Sequence, residues 1–569
     1  MQNFKRNVSE KILETVKANF VDASITSEDL ASMLEYPPDT TMGDLALPCF
    51  KLSKTLRRSP VQIAQIIAQG LSDPSIKKAE AVNGYLNISI SDDYLIGVCH
   101  QVLDKGDKYG SATFGDGKTV VLDYSSPNVA KPFHIGHLGT TVIGHSLKKL
   151  HEFVGYNCVG INYLGDWGTQ FGKMIVAYKK WGDREAINAG GIDKLVELYV
   201  KFHHAAEEDP ELDNEARSEF HKLELGDEEN LSLWKWFIEI SIAEYKKTYA
   251  QLGIEFDSYK GESFYTDKMP AQVQKLRDMG LLKIDDGASI VDLSEYNMPP
   301  CLILKRDGST LYPTRDIAAA VYRKQTYDFD KAIYVTSAGQ SLHFAQWFKV
   351  VELMEYSWHD KLVHVPYGTV SINGAKLATR TGNVILLKDL FAQAIEKVSE
   401  IMEEKNPELE NKEKVAEAVG VGAIVFYYLS SNRIRDINFV LDDALSFDGN
   451  TGPYVQYTYA RTCSLIERAQ DRELNTPISF TSDDERELVK TLARFPEKVL
   501  EALDSYEPSV VTRYILDVAT SFNRFYHNCQ ILSAESDEVI NTRIELTKAT
   551  NYVLGNAFEL ICLKKTKKI

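Results

Sequence analysis

The sequence predicts a multidomain α/β protein: a Rossmann-type parallel sheet split by a helical insertion, with an α+β domain before it and an all-α domain after it. Three observations carry that expectation. Strand–helix–strand alternation occurs twice, near 119–163 and again near 331–365, the pattern that parallel strands and crossover helices produce. The stretch between the two halves, near 175–300, is mostly helical in period and rich in charge. After Leu387 the chain reads almost wholly as amphipathic helix, without strand signals.

Residues 1–112 open with helical spacing (Val8, Ile12, Leu13, Val16), pass through a strand-like Gly84–Ile90, and end in another helical stretch. The turn-rich Gly106–Gly117 marks the boundary. Thr119–Tyr124 then reads as a short buried strand, followed by a loop with Pro127 and Pro132, a helix over about 136–154 ended by Gly155, and a second strand over 158–163. The alternation returns as a strand at 331–335, a helix over about 341–354 and a strand at 362–365. The division expected is 1–112, 113–390 with its insertion near 175–300, and a helical 391–569. At 569 residues the chain exceeds what one hydrophobic core covers, so several units are required.

Composition excludes some classes. An apolar fraction of 44% and a charged fraction of 25% are those of an ordinary globular protein, neither disordered nor fibrous. The longest apolar run, 416–429, is interrupted by Glu417 and is too short to span a bilayer. The N-terminus has no signal-peptide character, and the seven cysteines are odd in number, scattered and free of C-x-x-C pairs, which fits reduced thiols in the cytoplasm. A net charge of −17 opposes indiscriminate nucleic-acid binding, although it does not locate a local basic patch.

The most informative run is Ser125-Ser126-Pro127-Asn128-Val129-Ala130-Lys131-Pro132-Phe133-His134-Ile135-Gly136-His137-Leu138-Gly139. It lies between a buried strand and a helix N-terminus, where free N–H groups and the helix dipole favour a phosphate. His134 and His137 are three apart and share one face of the first turn, while Gly136 lets a flat base or ribose approach the backbone. Alone, an H-x-x-H pattern more often merely starts a helix. No nearby carboxylate or cysteine completes a ligand set, so no protein-bound metal is expected.

His134-Ile135-Gly136-His137 matches the signature tetrapeptide of class I aminoacyl-tRNA synthetases, and the wider run resembles their arginine-specific family. So do 162–172 (Asn-Tyr-Leu-Gly-Asp-Trp-Gly-Thr-Gln-Phe-Gly) and 447–457 (Phe-Asp-Gly-Asn-Thr-Gly-Pro-Tyr-Val-Gln-Tyr). The resemblance implies an arginine–tRNA ligase, with ATP and its Mg²⁺, arginine and tRNA(Arg) as partners, acting as a cytoplasmic monomer without a membrane. It assigns ATP to His134, Gly136, His137 and Lys376, and catalysis to Lys131, His134, His137 and Lys376. Lys376 opens a loop, 374–383, that departs from the Lys-Met-Ser-Lys-Ser form: Thr379 stands where the second lysine is usual, and Lys131 matches the lysine thought to substitute for it. A guanidinium calls for carboxylates and an aromatic face. Tyr312, Asp316 and Glu262 match the arginine side-chain contacts, and Asn128, Gln340 and Asp123 the holders of its backbone end. Tyr454 and Tyr457 fall in the segment resembling the anticodon-binding domain, and Tyr85 and Asn87 in one resembling the part of the N-terminal domain that meets the tRNA elbow. An aromatic and an amide there suit base stacking, but a half-buried strand needs a Tyr just as well. The resemblance further implies that amino-acid activation depends on the tRNA. Two rivals are another class I synthetase or nucleotidyl transferase, which would lack the Tyr312/Asp316/Glu262 cluster, and a non-catalytic RNA-binding relative, which would have lost a motif histidine or lysine.

Overall fold

The computed structural model describes residues 1–20, 24–376, 385–470, 472 and 476–569. Thr119-Val120-Val121-Leu122 is continuously apolar beyond its first residue, and such a run suits a strand covered on both faces. It forms β4 (Thr119–Asp123), at the centre of a parallel sheet with β5 (Asn157–Ile161), β9 (Lys331–Ser337) and β10 (Leu362–Tyr367). The order is β10-β9-β4-β5, with Val120 opposite Cys158 and Leu122 opposite Ile333. The connection therefore reverses direction between β4 and β9, and a crevice opens at their carboxyl ends, where α/β sheets bind ligands.

Helix Leu138–Phe153 crosses from β4 to β5 and is buried over almost its full length. The sheet covers one side and the C-terminal helices the other, with Ser146 Oγ donating to the Leu560 carbonyl at 2.6 Å. Gly144 is required here, since a Cβ would lie 2.3 Å from Tyr124.

Ahead of this sheet, helix Gln2–Asn19 and helix Pro60–Gly70 pack with a three-stranded antiparallel sheet of β1 (Leu45–Pro48), β3 (Tyr85–Ile90) and β2 (Ile76–Val82). Behind it, helices run from Leu387–Lys405 to Asp537–Leu560. The insertion contains helices Thr169–Trp181, Ile192–Glu208, Glu211–Glu224 and the long Glu228–Leu252.

The structure departs from expectation in two places. The insertion ends in a second antiparallel sheet, β6 (Leu282–Asp285), β7 (Ala288–Val291) and β8 (Cys301–Leu304), whose first hairpin turns at Asp286-Gly287, both with positive φ. An Asp-Gly pair between apolar alternations is the two-residue hairpin signal. The helical C-terminal part also contributes β13 (Ile437–Phe439), which adds in parallel to β11 (Val370–Ile372), itself paired with β12 (Ala375–Lys376). Three residues are too few to show a period. Among the described residues, no helix is long and apolar enough to cross a membrane.

Candidate active site

The loop leaving β4 has left-handed backbone at three non-glycine residues, Ser125, Ser126 and Ala130 (φ 71, 47 and 60°). Such strain persists only where surroundings over-determine it. The long insertion helix supplies that constraint. Tyr245 Oη donates to the carbonyls of both Asn128 and Lys131 at 2.8 Å, Ser241 Oγ accepts from Ala130 N–H at 3.0 Å, and Tyr249 Oη shares a 2.7 Å bond with Ser125 Oγ. The loop is thereby bent so that Asn128 and Lys131 present exposed side chains while Val129 and Phe133 are buried. Asn128 lies against Gly165, where a Cβ would come within 2.1 Å of its Oδ1; the Gly165 of the 162–172 segment is a packing requirement of Asn128.

His134 and His137 meet with ring centroids 3.9 Å apart. His134 Nδ1 accepts from Gly136 N–H at 3.0 Å, and His137 Nδ1 accepts from His134 N–H at 3.2 Å. Both protons therefore sit on Nε2, leaving Nε2–H as the free donor of each ring. Burial lowers both pKa values, with Lys131 assisting at each and the His134 ring at His137, which falls to about 3. The pair is neutral and stands at the start of helix Leu138–Phe153.

Beyond the described gap, residues 385–387 return beside this loop, with Ile135 N–H donating to the Ile385 carbonyl and Leu387 N–H to that of Phe133. The Lys376 backbone ends β12; its side chain, and Thr379, lie outside the described residues.

Four carboxylates gather near the crevice. Asp123 ends β4, and both of its oxygens are engaged by the chain: Oδ2 pairs with Arg323 Nη1 at 2.7 Å and Oδ1 accepts from Ser126 Oγ at 2.9 Å. One partner on each oxygen leaves further lone pairs on both, and Asp123 is almost wholly buried. Arg323 is 1% exposed and ringed by Tyr163, Tyr334 and Tyr265 at 5.1, 5.7 and 5.9 Å. Asp166 is engaged likewise, accepting from Ser263 N–H at 2.8 Å and Ser263 Oγ at 2.7 Å, which pins the turn carrying Glu262. Glu262 and Asp316 each have one partner: Arg315 Nη1 at 2.6 Å from Glu262 Oε2, and His343 Nε2 at 2.6 Å from Asp316 Oδ2. Burial pushes the Glu262 carboxyl up to about 7 although Arg315 opposes it; Asp316 and Asp166 add to the rise.

Tyr312 and Asp316 lie one turn apart on the same face at the start of helix Tyr312–Tyr327, whose second residue is Pro313. Tyr312 is 66% exposed, with the Arg315 guanidinium 5.8 Å from its ring centre. Gln340 is exposed in the turn after β9. The structure thus gathers Asn128, Lys131, His134, Gly136 and His137 in the loop leaving β4 and Glu262, Tyr312 and Asp316 in a second cluster at the carboxyl end of the sheet. Arg315, His343, Asp166 and Arg323 were not singled out from the sequence, although Arg315 and Asp166 stood inside motifs read for their neighbours.

Tyr85, Asn87, Tyr454 and Tyr457 lie elsewhere. Tyr85 is exposed on β3 with Phe50 edge-on at 4.8 Å, and Asn87 is half-buried on the same strand. Tyr454 is half-buried, its Oη accepting from Asn523 Nδ2 at 2.9 Å. Tyr457 is 44% exposed and, with Tyr526, sandwiches the Arg461 guanidinium at 4.9 and 4.7 Å. These residues line a cleft of about 310 Å³ with Arg468, Lys568 and Asn406.

Comparison with known proteins agrees with this arrangement. Family models match for the catalytic domain of class I (R) tRNA synthetases over residues 98–441, the DALR anticodon binding domain over 455–569 and the arginyl tRNA synthetase N terminal domain over 3–90. The chain is 50% identical over 574 residues to the arginine–tRNA ligase of Alkaliphilus metalliredigens and 48% identical over 571 residues to that of Clostridium perfringens, each match covering 100% of both chains. Its fold is similar to Thermus thermophilus arginyl-tRNA synthetase, with a TM-score of 0.83 at 24% identity over 99% of this chain and 100% of that one. The Plasmodium falciparum enzyme gives 0.80 at 24% identity, over 100% and 99%. Family models in sequence along the chain and full-length identity of this order leave one assignment: the chain belongs to the arginyl-tRNA synthetase family of class I aminoacyl-tRNA synthetases.

Proposed function

We propose that this chain activates arginine with ATP and transfers it to tRNA(Arg). The arginine carboxylate attacks the α-phosphorus, pyrophosphate leaves, and the 3′-terminal ribose hydroxyl of the tRNA then takes the arginyl group as AMP departs. The observation that carries this reading is the pairing, at the carboxyl end of the sheet, of two neutral histidines at a helix N-terminus with two incompletely engaged carboxylates. The first suits a polyphosphate, the second a guanidinium.

The Nε2–H groups of His134 and His137 face the ATP and the charge that develops on its phosphates, with Gly136 allowing close approach. Lys131 and Lys376 bring ammonium groups to the same oxygens, so catalysis here is positioning and charge stabilisation. Mg²⁺ arrives on the ATP phosphates and neutralises them there. Glu262, Asp316 and Tyr312 receive the guanidinium, and Asn128 and Gln340 the amino-acid backbone end. Asp123 joins Asn128 and Gln340 at the backbone end, and its other tie is to Arg323.

The cleft of Tyr457, Arg461 and Tyr526 offers stacked aromatic and cationic faces to unstacked bases of the tRNA. Tyr454 supports that helix through Asn523, and exposed Tyr85 with Asn87 forms a second contact. The division 1–112, 113–390 and 391–569, a monomeric state and a cytoplasmic location belong to the same reading. ATP–pyrophosphate exchange with each of the twenty amino acids, with and without total tRNA, tests it. Exchange with arginine alone is the expected result; exchange with another amino acid, or none even with tRNA, overturns it.

A further inference from the structure

The four carboxylates near the crevice divide into two kinds. Asp123 and Asp166 have both oxygens bonded within the chain. Glu262 and Asp316 have one each, and no hydrogen bond reaches Glu262 Oε1 or Asp316 Oδ1 among the described residues. The engaged oxygens are held by cationic or N–H-bearing side chains that come from different elements: Arg315 lies beside Asp316 on its helix, and His343 lies in the first turn of helix Ser341–Leu353.

We propose that Arg315 and His343 are positioning residues of the guanidinium pocket: each fixes one oxygen of a pocket carboxylate, Glu262 or Asp316, and leaves the other for the amino acid's side chain. This rests on reading Glu262 and Asp316 as substrate contacts. A free carboxylate on a flexible stem rotates, whereas one tethered at a single oxygen presents its remaining lone pairs in a fixed direction, which is what a planar fork of N–H donors needs.

Charge leads to the same arrangement. Two carboxylates closing on one guanidinium would leave one buried negative charge uncompensated, a costly outcome. Arg315 supplies a second positive charge, so the two pocket carboxylates meet two cations, Arg315 and the bound guanidinium. Among the described residues Arg315 makes its salt bridge with Glu262, and its Nε is buried without a hydrogen bond. The groups facing Glu262 are Arg315 and Asp316 from helix Tyr312–Tyr327, Asp166 from the loop after β5, and Tyr163 from the end of that strand. Arg315 is the one cation among them, and without it the Glu262 carboxyl holds its proton to higher pH.

The test is arginine binding to the full-length chain by titration calorimetry across pH, with ATP binding measured alongside. Arg315→Ala is expected to weaken arginine at about pH 6.5 by roughly tenfold or more, as loss of a charged hydrogen-bond partner does, with ATP affinity unchanged. The deficit should shrink by about pH 8.5, where Glu262 ionises without help, and Arg315→Lys should restore part of it at the lower pH. His343→Gln, which keeps an N–H donor, should retain affinity that His343→Ala loses. Unchanged or tighter arginine binding in Arg315→Ala overturns the proposal, as does a loss that ignores pH and takes ATP binding with it. Glu262→Gln separates the two readings. If it binds arginine normally, the pocket assignment itself fails; if it loses arginine while Arg315→Ala does not, only the positioning role fails.

Discussion

Replacing Lys131 by Ala removes one ammonium group from the loop that leads into the histidine pair. The backbone there does not depend on that side chain: Tyr245 Oη holds the Asn128 and Lys131 carbonyls at 2.8 Å, and neither contact is altered by the substitution. The Lys131 charge nevertheless reaches the site, since it is among the causes that lower both histidine pKa values. If it meets the charge that builds between the α-phosphate and the departing pyrophosphate, its removal should lower kcat by about 10²–10³, or ~2.7–4 kcal/mol of transition-state stabilisation. Both KM values should change little, because the contact strengthens only as the charge develops. Steady-state aminoacylation with ATP and arginine varied in turn measures this, and pyrophosphate exchange isolates the first step. Adding Thr379→Lys should recover part of the loss if the new ammonium reaches the same oxygens. An independent readout is the His134 imidazole, whose pKa should rise in Lys131→Ala while staying depressed by burial. A near-normal kcat, or a fall matched by a rise in the KM for ATP, would refute the assignment and leave Lys131 a solvated loop residue.

Asp316→Ala should raise the KM for arginine by about 10- to 150-fold, the equivalent of ~1.5–3 kcal/mol for a lost charge-assisted bond, and leave that for ATP unchanged; the reverse pattern would show the pocket is misassigned. Tyr457→Ala should weaken tRNA(Arg) binding in a filter assay by about 1–3 kcal/mol, the cost of one stacked base, without affecting arginine or ATP. Burial holds His137, His145 and His151 at about 3, 3 and 4, below the ordinary 6.5. The unfolded chain therefore takes up protons first as pH falls, and the stability present above about 6.5 is lost on acidification at up to ~1.4 kcal/mol per pH unit for each such group. The melting temperature should fall steadily from about pH 7 to pH 5, and a plateau across that window would contradict the burial argument.

The parallel sheet was legible because its two central strands carry the apolar runs Val120–Leu122 and Ala332–Val335, and burial on both faces demands that pattern. The hairpin at Asp286-Gly287 carried an equally local signal, but the surrounding charge masked it. The site was legible where identity and spacing carry the chemistry, as in His134 and His137 on one turn. It was not legible where function depends on what a side chain touches. The Arg315 contact of Glu262 spans 53 positions, and the His343 contact of Asp316 spans 27. Asp123 is a like case: its pairing with Arg323, on helix Tyr312–Tyr327, is marked by no local pattern.

That dependence on distant partners limits how the link between tRNA and activation can be tested. The helix that begins at the histidines rests directly on the C-terminal part of the chain: a Cβ at Gly139 would stand 2.1 Å from Tyr428 Oη, Ser146 bonds the Leu560 carbonyl, and the strand leading toward Lys376 is flanked by Ile437–Phe439. Deleting residues 415–569 would strip the cover from this helix and expose a long buried face, so activity would vanish whether or not tRNA signals through that domain. A point change at the rim of the domain avoids the confusion. Tyr457 is 44% exposed and its loss opens no core. If Tyr457→Ala lowers tRNA-dependent pyrophosphate exchange at subsaturating tRNA and saturating tRNA restores it, the domain contributes binding alone. If saturation fails to restore the rate while arginine and ATP still bind, occupancy of the cleft itself is coupled to the histidine helix.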